Sequence, residues 1–184
     1  MNTFPVIYTE RLTLRQLRPE DSMDLFHYFS RDEVTEFYDL ESFTSIKQAT
    51  DLIDSWNKRY ETEQGIRWAI SLKNEERVIG TCGYHNWAKE HSKAEIGYEL
   101  TPEYWRQGIM TEAIAAILQY GFQSLQLNRI EAFIDPANIS SRKLLLKAGL
   151  AEEGLLRDCF FEKGQFVDAV IFSILSREAV NRRH

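Results

Sequence analysis

The chain has 184 residues, a formal net charge of −6, 43% hydrophobic residues and 27% charged residues. This length suffices for one compact domain with a sizeable core, and the composition excludes a disordered chain. The acidic balance argues against a large nucleic-acid surface, because the one basic cluster is Arg182-Arg183. No stretch approaches the roughly 18 apolar residues that span a bilayer, and residues 1–5 lack an export signal. We therefore expect a soluble, cytoplasmic protein without nucleic-acid or membrane partners.

The two cysteines, Cys82 and Cys159, form no spacing pattern, which predicts small buried side chains in a reducing compartment. No repeat or linker interrupts the chain, so we predict one domain over residues 1–184. Alternating apolar residues predict seven strands, at 9–17, 67–72, 77–84, 93–100, 129–135, 155–161 and 167–175. Helical spacing and capping signals predict helices that begin at Pro19, after Ser45, at Gly108 and after Asn138. The fold class is thus α+β, with a mixed, mostly antiparallel sheet flanked by helices.

The turn at 105–111 joins the fourth predicted strand to a long helix at 108–125. A helix start offers unpaired backbone N–H groups and the positive end of the helix dipole, which together suit a phosphate. Gly108 would allow the backbone to approach such a ligand closely. The alternative is an ordinary strand–helix connection with a glycine, so the turn alone indicates a phosphate site only weakly.

Five segments of the chain, in order, resemble one known family. Residues 105–113, Trp-Arg-Gln-Gly-Ile-Met-Thr-Glu-Ala, resemble the acetyl-CoA pyrophosphate loop of the GNAT superfamily, and most closely that of the ribosomal-protein alanine and serine N-acetyltransferases. The other four segments are 9–15 with 19–21, 94–100, 138–150, and 153–158 with 164–168. The resemblance implies the GNAT fold, in which the fourth and fifth strands, 93–100 and 129–135, are parallel and splay apart into a V-shaped slot.

The same resemblance implies acetyl-CoA as the co-substrate, with no metal. Its diphosphate would lie on the backbone N–H groups of the turn, which are those of Arg106, Gln107, Gly108, Ile109, Met110 and Thr111. The pantetheine arm would pair with the strand backbone at Tyr98, Glu99 and Leu100, and would also contact Asn138 and Ser141. Asn138 has an alternative role as a plain helix N-cap, and the two roles can coexist. Arg106 stands where the branch usually has a small residue, so its side chain could reach a phosphate or point into solvent.

Glu95 is the candidate general base, because alternation places it on the same strand face as Glu99. A bulge near Gly97 would turn one of the two carboxylates to the other face. The alternative is that both are solvent-facing strand residues. We expect Tyr98 to pack rather than react, and neither His85 nor His91 shows a spacing that marks a catalytic base or metal ligand.

Ser141 is the candidate acid or thiolate partner, by resemblance to the serine of this branch. A serine one turn into a helix is often only a local cap, and that alternative stays open. Some GNAT members protonate the departing thiolate with a tyrosine seven residues after the Asn of the Asn-x-x-Ser segment. This chain has Leu145 at that position. That version of the mechanism is therefore in doubt, and a catalytically silent acyl-CoA sensor remains an alternative.

The resemblance implies direct transfer of an acetyl group to a primary amine in a ternary complex. A protein N-terminus, as in the ribosomal-protein branch, is the leading acceptor. Its α-amine has a pKa of about 7.7–8.0, so an appreciable fraction is neutral at cellular pH. The alternatives are a small amine (a polyamine, an amino acid or an antibiotic) and, more remotely, a nucleotide-binding protein. The sequence leaves the acceptor and the choice between monomer and homodimer open.

Overall fold

Eight strands form one open sheet in the computed structural model, which describes residues 3–180. The order across the sheet is β1-β2-β3-β4-β5-β6-β8-β7, and every neighbouring pair is antiparallel except β5 and β6. The strands are β1 Ile7–Tyr8, β2 Leu12–Gln16, β3 Ile66–Leu72, β4 Gly80–Ala88, β5 Lys93–Leu100, β6 Arg129–Ile134, β7 Ala151–Glu162 and β8 Gln165–Leu175. The basic cluster Arg182-Arg183 lies outside the described residues.

Helices cover both faces of this sheet. They are α1 Ser22–Phe29, α2 Asp32–Thr35, α3 Ile46–Glu61, α4 Ile109–Gln123, α5 Ile139–Ala148 and α6 Ser176–Val180. One core lies between the sheet and α4, and a second lies between the sheet and the pair α1 and α3. The central strand β3 therefore buries both of its faces, with Trp68 and Ile70 in the first core and Ala69 in the second.

The predicted strand–helix–strand unit is confirmed, because β5 and β6 are parallel and α4 connects them. Gln48 accepts a hydrogen bond from the Ser45 N–H at 3.0 Å, as the predicted capping box requires. The structure differs from the prediction in several details, among them the unpredicted short helices α2 and α6 and a β7 that begins at Ala151. The short edge strand β1 precedes β2, β4 runs from Gly80 to Ala88 instead of over 77–84, and α1 begins at Ser22 after a single 3-10 turn. Cys82 is buried as predicted, whereas Cys159 is only half-buried.

Gly121 lies where α4 packs closest to the sheet, and it yields a stability prediction. A β-carbon at this position would lie 2.3 Å from the hydroxyl oxygen of Tyr84, which is itself buried and donates to the Ile117 carbonyl. Gly121→Ala gains about 1 kcal/mol of helix propensity but loses more to overpacking, which costs about 1–3 kcal/mol. We expect the free energy of unfolding in urea to fall by about 1–2 kcal/mol.

Gly154→Ala is the matched control, because a β-carbon there would meet no atom within 4 Å. We expect this variant to unfold within about 0.5 kcal/mol of the parent. A Gly121→Ala protein as stable as the parent would contradict the close approach of α4 to Tyr84.

Candidate active site

The parallel pairing of β5 and β6 stops after three residues of each strand. Residues 93–95 pair with 129–131, and beyond them β5 pairs only with β4 and β6 only with β8. A cleft with a volume of about 1150 Å³ opens at this point, lined by residues 95–100 of β5 and by the end of β6 at 132–135. The cleft reaches both faces of the sheet, because its walls include residues of α5 on one side and of α3 on the other. This is the V-shaped slot that the sequence resemblance implies.

On one face, the slot meets the turn that leads into α4. Arg106 and Gly108 both have left-handed backbone conformations, with φ of 60° and 75°. Within the described residues, none of the six N–H groups from Arg106 to Thr111 finds a hydrogen-bond acceptor. Unpaired donors at the positive end of a helix are the groups that suit an anion.

The N-terminal segment anchors this turn from outside. Arg11 donates from Nη1 to the Gln107 carbonyl at 2.9 Å and from Nε to the Glu112 carboxylate at 2.6 Å. The Thr9 hydroxyl also donates to Glu112 at 2.6 Å. Burial would raise the pKa of Glu112, but these hydrogen bonds and the charge of Arg11 lower it below its ordinary value. The carboxylate is thus compensated, although it lies one turn from the unpaired N–H groups.

Two hydroxyl groups meet on the same face. Tyr98 and Ser141 are joined by a hydrogen bond between their side-chain oxygens, and both line the cleft. Burial raises the pKa of Tyr98 to about 12, with the hydrogen bond from Ser141 acting in the opposite direction. Tyr98 therefore stays protonated at neutral pH. The prediction that Tyr98 only packs misses this contact, which joins two elements 43 residues apart.

The helix α5 is held by its N-cap. The side chain of Asn138 accepts a hydrogen bond from the Ser141 N–H at 3.0 Å, so the capping role is present. Leu145 is fully buried in the core against the sheet. This helix position therefore carries no acid, and the Tyr98–Ser141 pair is a hydrogen-bonded pair of hydroxyls that lines the slot.

The opposite face carries a buried ion pair. Arg67 of β3 and Glu99 of β5 pair directly, and the Glu99 carboxylate also accepts from the hydroxyls of Tyr28, Tyr38 and Thr81. The Arg67 guanidinium lies 4.7 Å from the Trp56 ring centroid. Glu99 is thus fixed by four donors, which excludes the solvent-facing alternative for this residue.

Arg67 reaches Glu99 by crossing two glycines. Cross-strand pairing places Arg67 opposite Gly83 and Gly83 opposite Gly97, in one row. A β-carbon at Gly97 would lie 2.7 Å from Arg67 Nη1. Within residues 3–180, Nη1 donates to no acceptor, whereas Nε bonds to Thr81 and Nη2 to Tyr38. One N–H₂ group of a buried cation is therefore unpaired above Gly97.

Glu95 lies beside a histidine. His85 is directly opposite Glu95 across β4 and β5, and its Nε2 is 3.2 Å from the Glu95 carboxylate. Burial acts to raise the pKa of Glu95, but hydrogen bonds from His85 and Asn86 outweigh it and lower that pKa. This pairing was missed, because the ten-residue separation of the two becomes a contact only once the strand register is known.

The register between β4 and β5 tests the bulge that the sequence analysis considered near Gly97. Pairing of β4 with β5 is regular from Gly80 opposite Leu100 to His85 opposite Glu95, so no bulge lies near Gly97. The register shifts instead between His85 and Ala88. Glu95 and Glu99 therefore share one face of the sheet, with Gly97 between them.

Nearly all of the sequence-predicted site residues line this one cleft. Those that do are Glu95, Tyr98, Glu99, Leu100, Arg106, Gly108, Ile109, Met110, Thr111, Asn138 and Ser141. Gln107 does not line it, and its carbonyl is instead held by Arg11. Among the residues that the structure describes, no three His, Cys, Asp or Glu side chains are grouped to hold a metal ion, and no helix is long and apolar enough to cross a membrane.

The contacts of Arg11 generate a prediction for the turn. Arg11→Met frees the Gln107 carbonyl and leaves Glu112 uncompensated near the anion site. We expect the dissociation constant for acetyl-CoA, measured by calorimetry, to rise about tenfold, which corresponds to about 1.4 kcal/mol. Arg18→Met is the matched control, because Arg18 pairs with Glu76 at the exposed surface. Equal weakening by both variants would contradict the anchoring role and indicate an effect of net charge.

Comparison with known proteins agrees with this geometry. A family model described as an acetyltransferase (GNAT) domain matches residues 11–151. The uncharacterized N-acetyltransferase YoaA of Bacillus subtilis strain 168 is 42% identical over 172 residues, which cover 94% of this chain and 97% of that protein. From the same organism, the protein named "Putative ribosomal N-acetyltransferase YdaF" is 29% identical over 173 residues, covering 92% and 93%.

Among solved structures, a GNAT-family acetyltransferase from Bacillus anthracis matches with a TM-score of 0.83 and 26% identity, covering 94% of this chain and 99% of that one. The predicted family, fold class and enzyme class are thus confirmed. The chain belongs to the GNAT acetyltransferase family and is an N-acetyltransferase that uses acetyl-CoA as its donor.

Proposed function

We propose that this enzyme transfers the acetyl group of acetyl-CoA to the α-amine of a protein N-terminus, of the ribosomal-protein type, in a ternary complex. The observation that carries the proposal is the single cleft through the sheet between β5 and β6. The anion-binding turn lies on one face of this slot, and the paired charges of Glu95 and Glu99 lie on the other. A donor and an acceptor entering from opposite faces would meet at the slot without a covalent enzyme intermediate.

The donor would occupy the face of α4 and α5. The unpaired N–H groups from Arg106 to Thr111 would hold the diphosphate, and the side chains of Arg106, Lys143 and Lys147 would add positive charge at the cleft wall. Beyond Glu95, the β5 edge facing β6 has no strand partner. The pantetheine arm would add to this edge as a further strand, along Tyr98, Glu99 and Leu100, with the Asn138 side-chain amide as a second contact.

The thioester would then lie next to the Tyr98–Ser141 hydroxyl pair. A backbone N–H of β5 would polarise its carbonyl and stabilise the oxyanion of the tetrahedral intermediate. The departing thiolate would take a proton from the hydroxyl pair, because Tyr98 is protonated at neutral pH. Some GNAT members protonate the thiolate with a tyrosine where this chain has Leu145, and the Tyr98–Ser141 pair would supply that proton instead. The pair therefore favours an active enzyme over an acyl-CoA sensor.

Arg67 supports a peptide as acceptor. Its unpaired Nη1 lies directly over Gly97 at the wall of the cleft, near which the amine would approach the thioester. This group can donate to the carbonyl oxygen that follows an N-terminal α-amine, whereas a polyamine has no such acceptor. The relative YdaF carries the ribosomal acetyltransferase name. Both the acetyl donor and ribosomal proteins are cytoplasmic, so we place the reaction in the cytoplasm.

A polyamine is the second candidate, and the outer rim of the cleft favours it. Glu36, Asp39 and Glu162 line that rim, and Asp135 lies nearby. Burial and then the charge of Asp39 raise the pKa of Glu162, with Lys163 acting in the opposite direction. Such a rim would attract a cationic chain. It would equally accept a peptide whose following residues are basic.

The test measures the release of thiol from acetyl-CoA in the presence of each member of a panel of acceptors. The panel contains short peptides with free N-termini, the same peptides with blocked N-termini, and spermidine. We expect turnover of the free peptides and no turnover of the blocked ones. Turnover of spermidine alone would refute the peptide acceptor, and no turnover of any amine would favour the sensor.

Arg67→Lys tests the acceptor contact. Lysine keeps the ion pair with Glu99 but removes the planar fork whose free arm faces Gly97. We expect KM for the peptide to rise about tenfold, roughly the value of one charge-assisted hydrogen bond, with KM for acetyl-CoA unchanged. Steady-state kinetics with each substrate varied in turn measure both values. An unchanged peptide KM in a variant of native thermal stability would remove Arg67 from the acceptor site.

Ser141→Ala and Tyr98→Phe test the thiolate partner. Because the two hydroxyls form one hydrogen-bonded unit, we expect each change to lower kcat about tenfold and the double variant to lose little more. The dissociation constant of acetyl-CoA should change little. Tyr8→Phe, at an exposed tyrosine of β1, is the control. Multiplicative losses in the double variant would show that the hydroxyls act separately.

A further inference from the structure

The sheet face opposite the donor turn carries a second hydrogen-bonded unit that the sequence resemblance did not assign. We infer that the imidazole of His85 is the general base that takes the proton from the amine, and that Glu95 acts through His85 by orienting it. This inference rests on the proposed amine acetylation. It changes the role of Glu95 from base to positioning residue, and it places one further catalytic residue in the site.

The first step is the orientation of the ring. His85 Nε2 is 3.2 Å from Glu95 Oε2, and the two residues lie opposite each other in regular register. A carboxylate at Nε2 favours the tautomer with hydrogen on Nε2, which leaves a lone pair on Nδ1. The same logic operates wherever a carboxylate sets the tautomer of a catalytic histidine.

The second step is where the other nitrogen lies. A β-carbon built on Gly97 would be 3.3 Å from His85 Cε1 and 3.4 Å from Nδ1. The Nδ1 edge of the ring therefore lies over Gly97 next to Arg67 Nη1, and His85 lines the cleft. Within the described residues, Nδ1 has no hydrogen-bond partner. A base that is oriented on one side and unpaired on the other is ready to accept a proton from a ligand.

The third step is the position of that space in the slot. Gly97 is two residues beyond Glu95, where β5 and β6 cease to pair, so it lies at the root of the opening. Its missing side chain lets Arg67 Nη1 lie directly over the strand beside the ring of His85, and all three residues line the cleft. An amine in the cleft would approach Nδ1 from the cleft side of this pair. The register shift between His85 and Ala88 directly follows the histidine, as bulges beside active sites commonly do.

The proton balance of the reaction is complete with these groups. The ammonium form of the acceptor gives one proton to His85 Nδ1 and becomes a neutral amine. Its nitrogen attacks the thioester carbon, forming the C–N bond, and the C–S bond breaks as the oxyanion collapses. The nitrogen of the tetrahedral intermediate loses its second proton to water, the thiolate takes one proton from the Tyr98–Ser141 pair, and that pair regains a proton from solvent. The proton on His85 passes to solvent before the next turnover.

The charges that face the imidazole come from three strands. Glu95 and Lys93 lie on β5, Arg67 lies on β3 next to Gly97, and Glu131 of β6 pairs with Lys93. His85 itself is about one-third exposed, so a protonated ring is accessible to water.

The experiment compares His85→Gln with Glu95→Gln, using the free-amine peptide. We expect His85→Gln to lower kcat/KM at pH 7 by about a hundredfold or more, the usual contribution of a general base. Glu95→Gln keeps an acceptor for the Nε2 hydrogen, so its loss should be smaller, about tenfold. Acetyl-CoA affinity should be unchanged in both. His91→Gln is the matched control, because His91 is an exposed histidine outside the cleft.

A pH profile separates a chemical role from a structural one. Above the α-amine pKa of about 8, the acceptor is already neutral and needs no base. The deficit of His85→Gln should therefore shrink markedly between pH 7 and pH 9.5, whereas a packing defect would persist at every pH. Gly97→Ala, whose β-carbon would displace Arg67 Nη1 and contact the ring of His85, should lower kcat/KM for the peptide and leave acetyl-CoA affinity intact.

The outcomes distinguish this inference from the proposed function. If the parent protein acetylates peptides and His85→Gln does so within threefold at pH 7, the inference is wrong and the function stands. A larger loss for Glu95→Gln than for His85→Gln would return the role of base to Glu95. If the parent acetylates no amine, the proposed function fails first.

Discussion

The site depends on the early end of one strand pairing. After three residues β5 and β6 part, and two strands in the middle of an eight-stranded sheet lose their mutual hydrogen bonds. Unpaired backbone N–H and C=O groups inside a protein cost free energy unless a partner satisfies them. The separation therefore creates, at one place, an opening through the sheet and an edge that can accept an extended ligand. The turn before α4 and the charged groups on the opposite face both lie around this opening. The roles proposed for them depend on that position.

The two faces of the sheet present different kinds of chemical group to the slot. The face with the turn before α4 presents backbone N–H groups, whose arrangement depends on the left-handed conformations of Arg106 and Gly108 rather than on particular side chains. The opposite face presents buried side chains. The pair of Arg67 with Glu99 is held by hydroxyls and by Trp56, as a buried ion pair must be if its desolvation is to be offset. Because residues 83 and 97 are glycines, the Arg67 side chain can extend from β3 across β4 to Glu99 on β5.

Sequence patterns predicted the elements that depend on local chemistry. Alternation located β3 and β5, capping located α3 and α5, and the motif at 105–113 located the turn before α4. Sequence patterns did not predict the contacts that depend on strand register or that join segments distant in sequence. The pairing of His85 with Glu95, the bond between Tyr98 and Ser141, and the crossing of Arg67 to Glu99 each need a known alignment of neighbouring strands or helices. The expected bulge was a hypothesis about register, and the observed register places the irregularity elsewhere.

The bond from Arg11 to the donor turn has a consequence for how the chain tolerates change at its beginning. Residues 9–11 and 107–112 are about a hundred positions apart, yet they form one hydrogen-bonded unit at the rim of the anion site. By thermodynamic linkage, a ligand bound at the turn stabilises the contacts between residues 9–11 and the turn. In the same way, a change that loosens these contacts lowers the affinity of the turn for the ligand. A change that loosens residues 9–11 would therefore weaken an anion bound at the turn, whereas a change at β7, on the opposite edge of the sheet, would not act on this hydrogen-bonded unit.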